Sequence, residues 1–370
     1  IQQQKYWSKR KPAVRLRGAR RKTEHPEQVV ISDPTGKAEA INTQYTSQFT
    51  REPDGNLPDI DSEPVPAMPD IKFTVPGIEK LLNNLNPSKA SGPDLLPTRI
   101  LKMIASEIAP ILCAIYQQSY NTGQVPYDWR QANITAVFKK GDKTNPANYR
   151  PVSLTCILCK TMEHIVFSQT MSHLDKHDIL VHFQHGFRPN HSCETQLLTT
   201  VEDLSHRLDK RKTTDLLILD FSKAFDTVPH RRLLRKLEHN GITGKTNNWI
   251  QSWLCHRQQR VVLDGAASTD STDSTDSVLS GVPQGTVLGP LMFLLYVNDI
   301  GAKISPQTTI KLFADDALLY RTINDHSDEL QLQHDLDTMI EWSNTWLMRF
   351  NAKKCHLLKI TRQRKPLQTP

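Results

Sequence analysis

The stretch that decides the reading is TIKLFADDALLYR, residues 309–321. Two adjacent acids, Asp315 and Asp316, stand between Ile310, Leu312 and Phe313 on one side and Ala317, Leu318, Leu319 and Tyr320 on the other. The flanking apolar runs have strand length, so the stretch reads as two short strands joined by an acidic turn. Neighbouring carboxylates repel, and burying even one unpaired charge is costly. A lone Asp-Asp pair is an ordinary turn, but a divalent cation becomes the better reason once a third acid can join it.

That acid is Asp220, which closes the run Leu216-Leu217-Ile218-Leu219, long enough for a buried strand and short for a helix. If this strand neighbours the hairpin in one sheet, three carboxylates converge. They could then hold two magnesium ions about 4 Å apart, with manganese as a substitute, the arrangement that activates an attacking oxygen and stabilises a leaving one in phosphoryl transfer.

Five segments carry a resemblance. They are NYRPVSL at 148–154, QHGFR at 184–188, LDFSKAFD at 219–226, SGVPQGTVLGP at 280–290 and FADD at 313–316. In order and spacing they resemble the successive motifs of the reverse transcriptases of non-LTR (LINE-type, jockey-like) retrotransposons, over roughly residues 80–360. The resemblance implies an α+β right-hand polymerase of fingers and palm, with an antiparallel palm sheet packed on helices. Little chain follows the palm, so the helical thumb is expected to be largely absent. The domains expected are a basic arm and acidic, Pro-containing linker over 1–75, largely disordered; a helical segment over 76–125; a polymerase domain over 126–362, with fingers at about 126–212 and palm at about 213–362; and a tail over 363–370.

Residue roles follow from the same resemblance. Asp220 and Asp315 would bridge the metals, with Asp316 as auxiliary. Arg150 would reach the triphosphate of the incoming nucleotide, a task suited to a permanently charged guanidinium fork. Phe225 would be the ring beneath the sugar that excludes a 2′-hydroxyl. Gln284 and Gly285 would approach the nascent base pair, and Gly186 and Arg188 would lie on the template side. Lys354, with Lys353 as a fallback, would protonate the departing pyrophosphate. Asp226, just before Pro229, reads as a helix cap.

Composition is ordinary for a globular chain, at 38% apolar and 23% charged over 370 residues. The net charge of +7 is local: residues 1–24 carry nine Lys and Arg against one Glu, leaving 37 basic and 38 acidic groups on the rest. Such an arm suits phosphate contact or nuclear import. Residues 52–70 hold six acids and no Lys or Arg, the composition of a flexible linker. The six scattered cysteines point to a reducing compartment, and Cys156 and Cys159, in an apolar segment, read as core. Residues 291–297 form the longest strongly apolar run, far below the roughly 20 residues of a membrane span. Leu197, Leu198, Val201, Leu204 and Leu208 recur at helical spacing and are expected to pack on the sheet. The threefold Ser-Thr-Asp repeat at 268–276 is a polar loop between expected strands at 260–263 and 278–279.

The chain therefore reads as an RNA-directed DNA polymerase with RNA template, DNA primer or target DNA, and deoxynucleoside triphosphates as partners, and no membrane. It would act inside the cell, in the nucleus when working on target DNA, with the cytoplasm as an alternative. A catalytically dead nucleic-acid-binding relic of a transposon and an RNA-dependent RNA polymerase are the rival readings.

Overall fold

The computed structural model describes residues 16–18, 29–268 and 278–363. Most of the basic arm, residues 269–276 of the Ser-Thr-Asp repeat and the end of the tail lie outside the described residues. The chain divides into two compact units that interleave along the sequence: Ile1–Arg51, Ala67–Thr170 and Ile242–Gly289 form one, and Glu52–Pro66, Met171–Gly241 and Pro290–Pro370 the other. This departs from the contiguous fingers and palm expected from the sequence. The physical reason is strand pairing between distant segments.

In the first unit, β3 (Gln131–Phe138) and β4 (Tyr149–Thr155) form an antiparallel hairpin, with Val137 opposite Arg150. β6 (Gln258–Leu263) joins β3 in parallel, which draws residues 242–289 into this unit, and β7 (Ala266–Ala267) completes the sheet order β4-β3-β6-β7. A separate ribbon pairs β1 (Leu16–Gly18) with β2 (Val29–Ile31). The pairing partner of β6 is therefore Ala266-Ala267, and residues 278–279 are not a strand. Along β3, Ala132, Ile134 and Ala136 point inward and alternate with more exposed neighbours, the period-two pattern of a half-buried strand.

Ala38, Ile41 and Tyr45 cover those residues, all on α1 (Pro34–Thr46). Within residues 1–75, expected to be largely disordered, residues 34–46 are thus helical. The helix starts where Asp33 accepts the Gly36 amide at 2.6 Å, with Pro34 at its first position. Only three apolar side chains form its buried stripe, too few to stand out from polar neighbours. The acidic linker is also held: in the second unit the Glu52 carboxylate takes the Arg232 guanidinium at 2.9 Å and the Arg231 amide at 2.7 Å, and the Val65 amide donates to the His239 carbonyl. Composition could not reveal those partners because they lie about 180 residues away.

The second unit is built on an antiparallel sheet ordered β10-β5-β9-β8: His356–Ile360, Thr213–Asp220, Asp316–Ile323 and Thr309–Phe313. β5 is central, with Leu216 and Leu219 buried. The helix α6 (Cys193–Asp209) packs on β5 and β8, and α11 (His326–Thr345) on β9. α6 turns a different face inward from that expected, with Leu204 and Leu208 of the expected stripe only half-buried. Gln196 and Thr200 are buried, while Leu197, Leu198 and Val201 are 61%, 69% and 50% exposed. The sheet explains the difference, because the face it offers is polar. Tyr320 donates to Asp203 at 2.7 Å, Arg207 donates to the hydroxyls of Thr322 and Thr309 at 3.2 and 3.0 Å, and Lys311 donates to Thr199. Leaving those groups unpaired would cost more than exposing three aliphatic side chains.

α7 (Ala224–Thr227) and α8 (His230–His239) follow β5. The residues immediately before these helices, Lys223 and Pro229, make no side-chain cap, and Asp226 itself lies within α7. On α8 the buried Lys236 ammonium donates to the Tyr296 carbonyl at 2.6 Å and to Asp299 at 2.5 Å, and lies 3.8 Å from the centre of the Trp346 ring. Burial pulls this ammonium down to about 8, against the pull of Asp299. Since its ordinary value is 10.5, the folded chain releases a proton that the unfolded chain keeps. The associated stabilisation is complete above the unfolded value and is lost as pH falls through about 8.

Two outcomes test this account of the fold. Ile41→Ala should lower stability by about 2–5 kcal/mol while Leu198→Ser changes it by less than about 0.5 kcal/mol, read from denaturant midpoints. Between pH 8 and 10, stability should rise more steeply in the parent chain than in Lys236→Met, as measured by melting temperature across that window.

Candidate active site

The ladder between β5 and β9 ends with Asp220 opposite Asp316, and that between β8 and β9 with Phe313 opposite Asp316. Directly opposed residues in an antiparallel pair lie about 4.5–5.5 Å apart at Cα and share a face. The sheet adjacency expected from the sequence is thus observed. Ala314 and Asp315 form the two-residue turn, and Asp316 is the first residue of β9 rather than part of the tip.

Beyond β5 the chain is strapped to a second segment. The Asn351 amide donates to the Asp220 carbonyl at 2.7 Å, the Ser222 amide donates to the Arg349 carbonyl, and the Phe221 and Phe350 rings stack 4.4 Å apart. This strap brings Lys354 to Asp220, with Nζ 2.6 and 3.2 Å from the two carboxylate oxygens. The Asp220 side chain is 19% exposed. An ammonium thus engages both oxygens of the acid expected to hold metal.

Phe225 stacks on the fully buried Phe293 with 4.5 Å between centroids and meets the exposed Phe187 edge-on at 6.0 Å. The ring is half-buried, so it is packed on one side without being sealed in the core. Gly186 lies against Ala314, where an added Cβ would come within 2.3 Å of the Ala314 nitrogen. The close approach that this glycine permits is therefore to the acidic turn. Arg188 donates to the Val181 carbonyl of its own loop at 2.8 Å.

The remaining candidates lie in the first unit. Arg150 is exposed on β4. The Gln284 carbonyl accepts the Ser153 amide at 2.8 Å. Gly285 has a φ of +100° with its missing Cβ 2.9 Å from the Ser153 carbonyl oxygen, so glycine is required there. The loop's anchor is Glu163 on α5 (Ile157–Lys176), a buried acid to which sequence reasoning assigned no role. Its carboxylate accepts the amides of Val287 and Leu288 at 2.8 and 3.2 Å and the Trp253 indole at 3.2 Å. An acid in helical register with the apolar Cys159, Met162 and Val166 was the signal available for it.

Oxygen-only donors at Asp220, Asp315 and Asp316, with a cation already on both oxygens of one of them, fit magnesium chemistry. Among the described residues no group of three or more His, Cys, Asp or Glu side chains could hold a metal ion, so the convergence of three carboxylates expected from the sequence is not found. Magnesium at phosphoryl-transfer sites ordinarily takes one or two carboxylates plus substrate phosphates and waters, so a closed protein cage is not what this chemistry requires.

A family model described as "Reverse transcriptase (RNA-dependent DNA polymerase)" matches residues 138–367. The chain belongs to that family. The reverse transcriptase match encloses every candidate site residue, from Arg150 to Lys354. Among similar proteins are the RNA-directed DNA polymerase from mobile element jockey of Drosophila melanogaster, 29% identical over 298 residues, and the probable RNA-directed DNA polymerase from transposon X-element of the same fly, 27% identical over 303. A further relative is a Pol polyprotein from retrotransposable element R2 of Popillia japonica, 27% identical over 243 residues. The alignments cover 78%, 80% and 63% of this chain but 32%, 33% and 32% of those relatives. The chain thus spans about a third of the length of the relatives it matches. Among the described residues no helix is long and apolar enough to cross a membrane.

Cys156 and Cys159 are buried as expected. Burial pushes the Cys156 thiol up to about 12 and the Cys159 thiol well above its ordinary value. Both stay protonated and are poor metal ligands. A thiol reagent at pH 8 should therefore modify the exposed Cys193 in the native chain and leave Cys156 and Cys159 intact, as peptide mapping would read.

Proposed function

We propose that this chain is an RNA-directed DNA polymerase of the non-LTR retrotransposon type, extending a primer 3′-hydroxyl along an RNA template with deoxynucleoside triphosphates. The observation that carries the reading is the register of β5 on β9, which sets Asp220 opposite Asp316, the residue that follows the turn residue Asp315. Template RNA, DNA primer or target DNA, and deoxynucleotides are its proposed partners. Action on target DNA would take place in the nucleus.

In the reaction the 3′-oxygen attacks the α-phosphorus, a new phosphodiester bond forms, and the bond to the β-phosphate oxygen breaks to release pyrophosphate. Asp220 and Asp315, with Asp316 as auxiliary, would hold two magnesium ions. When bound, those ions neutralise phosphate charge and activate the attacking oxygen. The chain's own contribution is positioning, since phosphoryl transfer needs little covalent help from protein. Arg150 would neutralise the triphosphate, and Gln284 and Gly285 would sit against the nascent pair. Gly186 and Arg188 would serve the template side, Gly186 by setting the turn. Phe225, held by Phe293, would exclude the 2′-hydroxyl. Lys354, an ammonium already at the Asp220 carboxylate, would leave it and supply the proton taken by the departing pyrophosphate.

An extension assay on homopolymer RNA with a DNA primer tests the reading. The parent should incorporate deoxynucleotides only with magnesium or manganese. Asp220→Asn and Asp315→Asn should each lose activity by about a hundredfold or more with unchanged circular dichroism and melting. Template binding without synthesis by the parent would overturn the proposal in favour of a relic. Phe225→Ala should raise ribonucleotide incorporation, and an unchanged ratio would remove this ring as the gate.

A further inference from the structure

We infer that Gln184 is a positioning residue for the proposed reaction, holding the acidic turn in the one shape that presents Asp315. The inference rests on the polymerase reading for what the turn does, and on geometry alone for what holds it.

The turn is strained. Ala314 has a φ of +54° while Asp315 is not among the residues with positive φ. A positive φ at the first of two hairpin residues is the position where glycine is usual, because a Cβ there crowds the backbone. A non-glycine residue stays in that region only when its surroundings over-determine it. Here one side chain takes both polar groups of that residue. Gln184 is 2% exposed, and its Oε1 accepts both the Ala314 amide at 2.9 Å and the Gly186 amide at 2.7 Å. Its Nε2 lies 3.5 Å from the Ala314 carbonyl, to which it donates. One amide group therefore engages both backbone polar groups of the strained residue.

The backbone around Gln184 is fixed to the same hairpin. It forms a parallel bridge with Leu312, the His185 amide donates to the Leu312 carbonyl at 2.9 Å, and the Leu312 amide donates to the Phe183 carbonyl at 2.9 Å. Residues 183–186 thus run along the free edge of β8 and end where Gly186, lacking a Cβ, lets the two backbones touch. A neutral amide is the chemistry this place demands. A carboxylate would add negative charge beside two acids, and an ammonium offers no acceptor for the two amides. Gln184 acts through Ala314, whose amide and carbonyl set the direction of the next residue, Asp315.

The test uses Gln184→Met, which keeps the volume and removes both hydrogen-bonding functions. The expected result is a fall in kcat of about tenfold or more with template-primer affinity within about twofold of the parent. In the nucleotide-free protein, Mn2+ binding followed by electron paramagnetic resonance should weaken by about threefold or more. Adding Ala314→Gly should recover part of both losses, because glycine adopts this φ without penalty. A merely structural glutamine would lower the melting temperature with no such rescue.

The inference is overturned if kcat and Mn2+ binding in Gln184→Met stay within about twofold of the parent, or if the double variant is no better than the single. Should Gln184→Met alone not fold, the same comparison is made between Ala314→Gly and the double variant. An inactive parent would sink the polymerase reading, while the Mn2+ arm would still decide the role of Gln184.

Discussion

The register of β5 against β9 is the constraint on which the site depends. Eight pairs run from Thr213 opposite Ile323 to Asp220 opposite Asp316. Side chains alternate between faces, so a slip of one residue would carry Asp220 to the far side of the sheet from Asp316. The slip is opposed at several points. The polar face of β8 and β9 is matched to α6 through Tyr320, Thr322 and Thr309, and the strap from Phe350 and Asn351 closes over the end of β5. Positioning of the acids is thus distributed over the whole sheet.

α10 (Leu288–Val297) shows how the core meets the same requirement for its helix ends. Residues 291–297 are at most 2% exposed, so water cannot satisfy the helix termini. Two buried charges do so instead. Glu163 accepts the amides of Val287 and Leu288 at the start, and Lys236 donates to the Tyr296 carbonyl near the finish. An anion at the N-terminus and a cation at the C-terminus each face the favourable end of the helix dipole. Both charges have further partners, Trp253 for Glu163 and Asp299 for Lys236, as burial of an ion demands. The loop bearing Gln284 and Gly285 leads directly into this helix, so the Glu163 tether also bears on the nucleotide-side candidates.

Lys354 and Gln184 illustrate two ways of managing crowded negative charge. The lysine neutralises Asp220 directly at 2.6 Å. The glutamine leaves charge unchanged and fixes backbone, taking the Ala314 amide beside Asp315. The first offsets negative charge at Asp220, and the second holds the backbone beside Asp315 against repulsion between neighbouring acids.

What the sequence determined by itself was local in period or in motif. Alternation along β3, the apolar run before Asp220 and the paired acids of residues 315–316 each declare themselves within about ten residues, since strand side chains repeat every two positions. The tertiary structure decided what depends on a distant partner. α1 is held by three side chains against β3 and β6, α6 turns its polar face inward because the sheet there is polar, and Glu163 and Gln184 gain their roles from backbone amides 124 and 130 residues away. Periodicity records which face of an element is apolar, but which face is buried depends on what the fold sets against it.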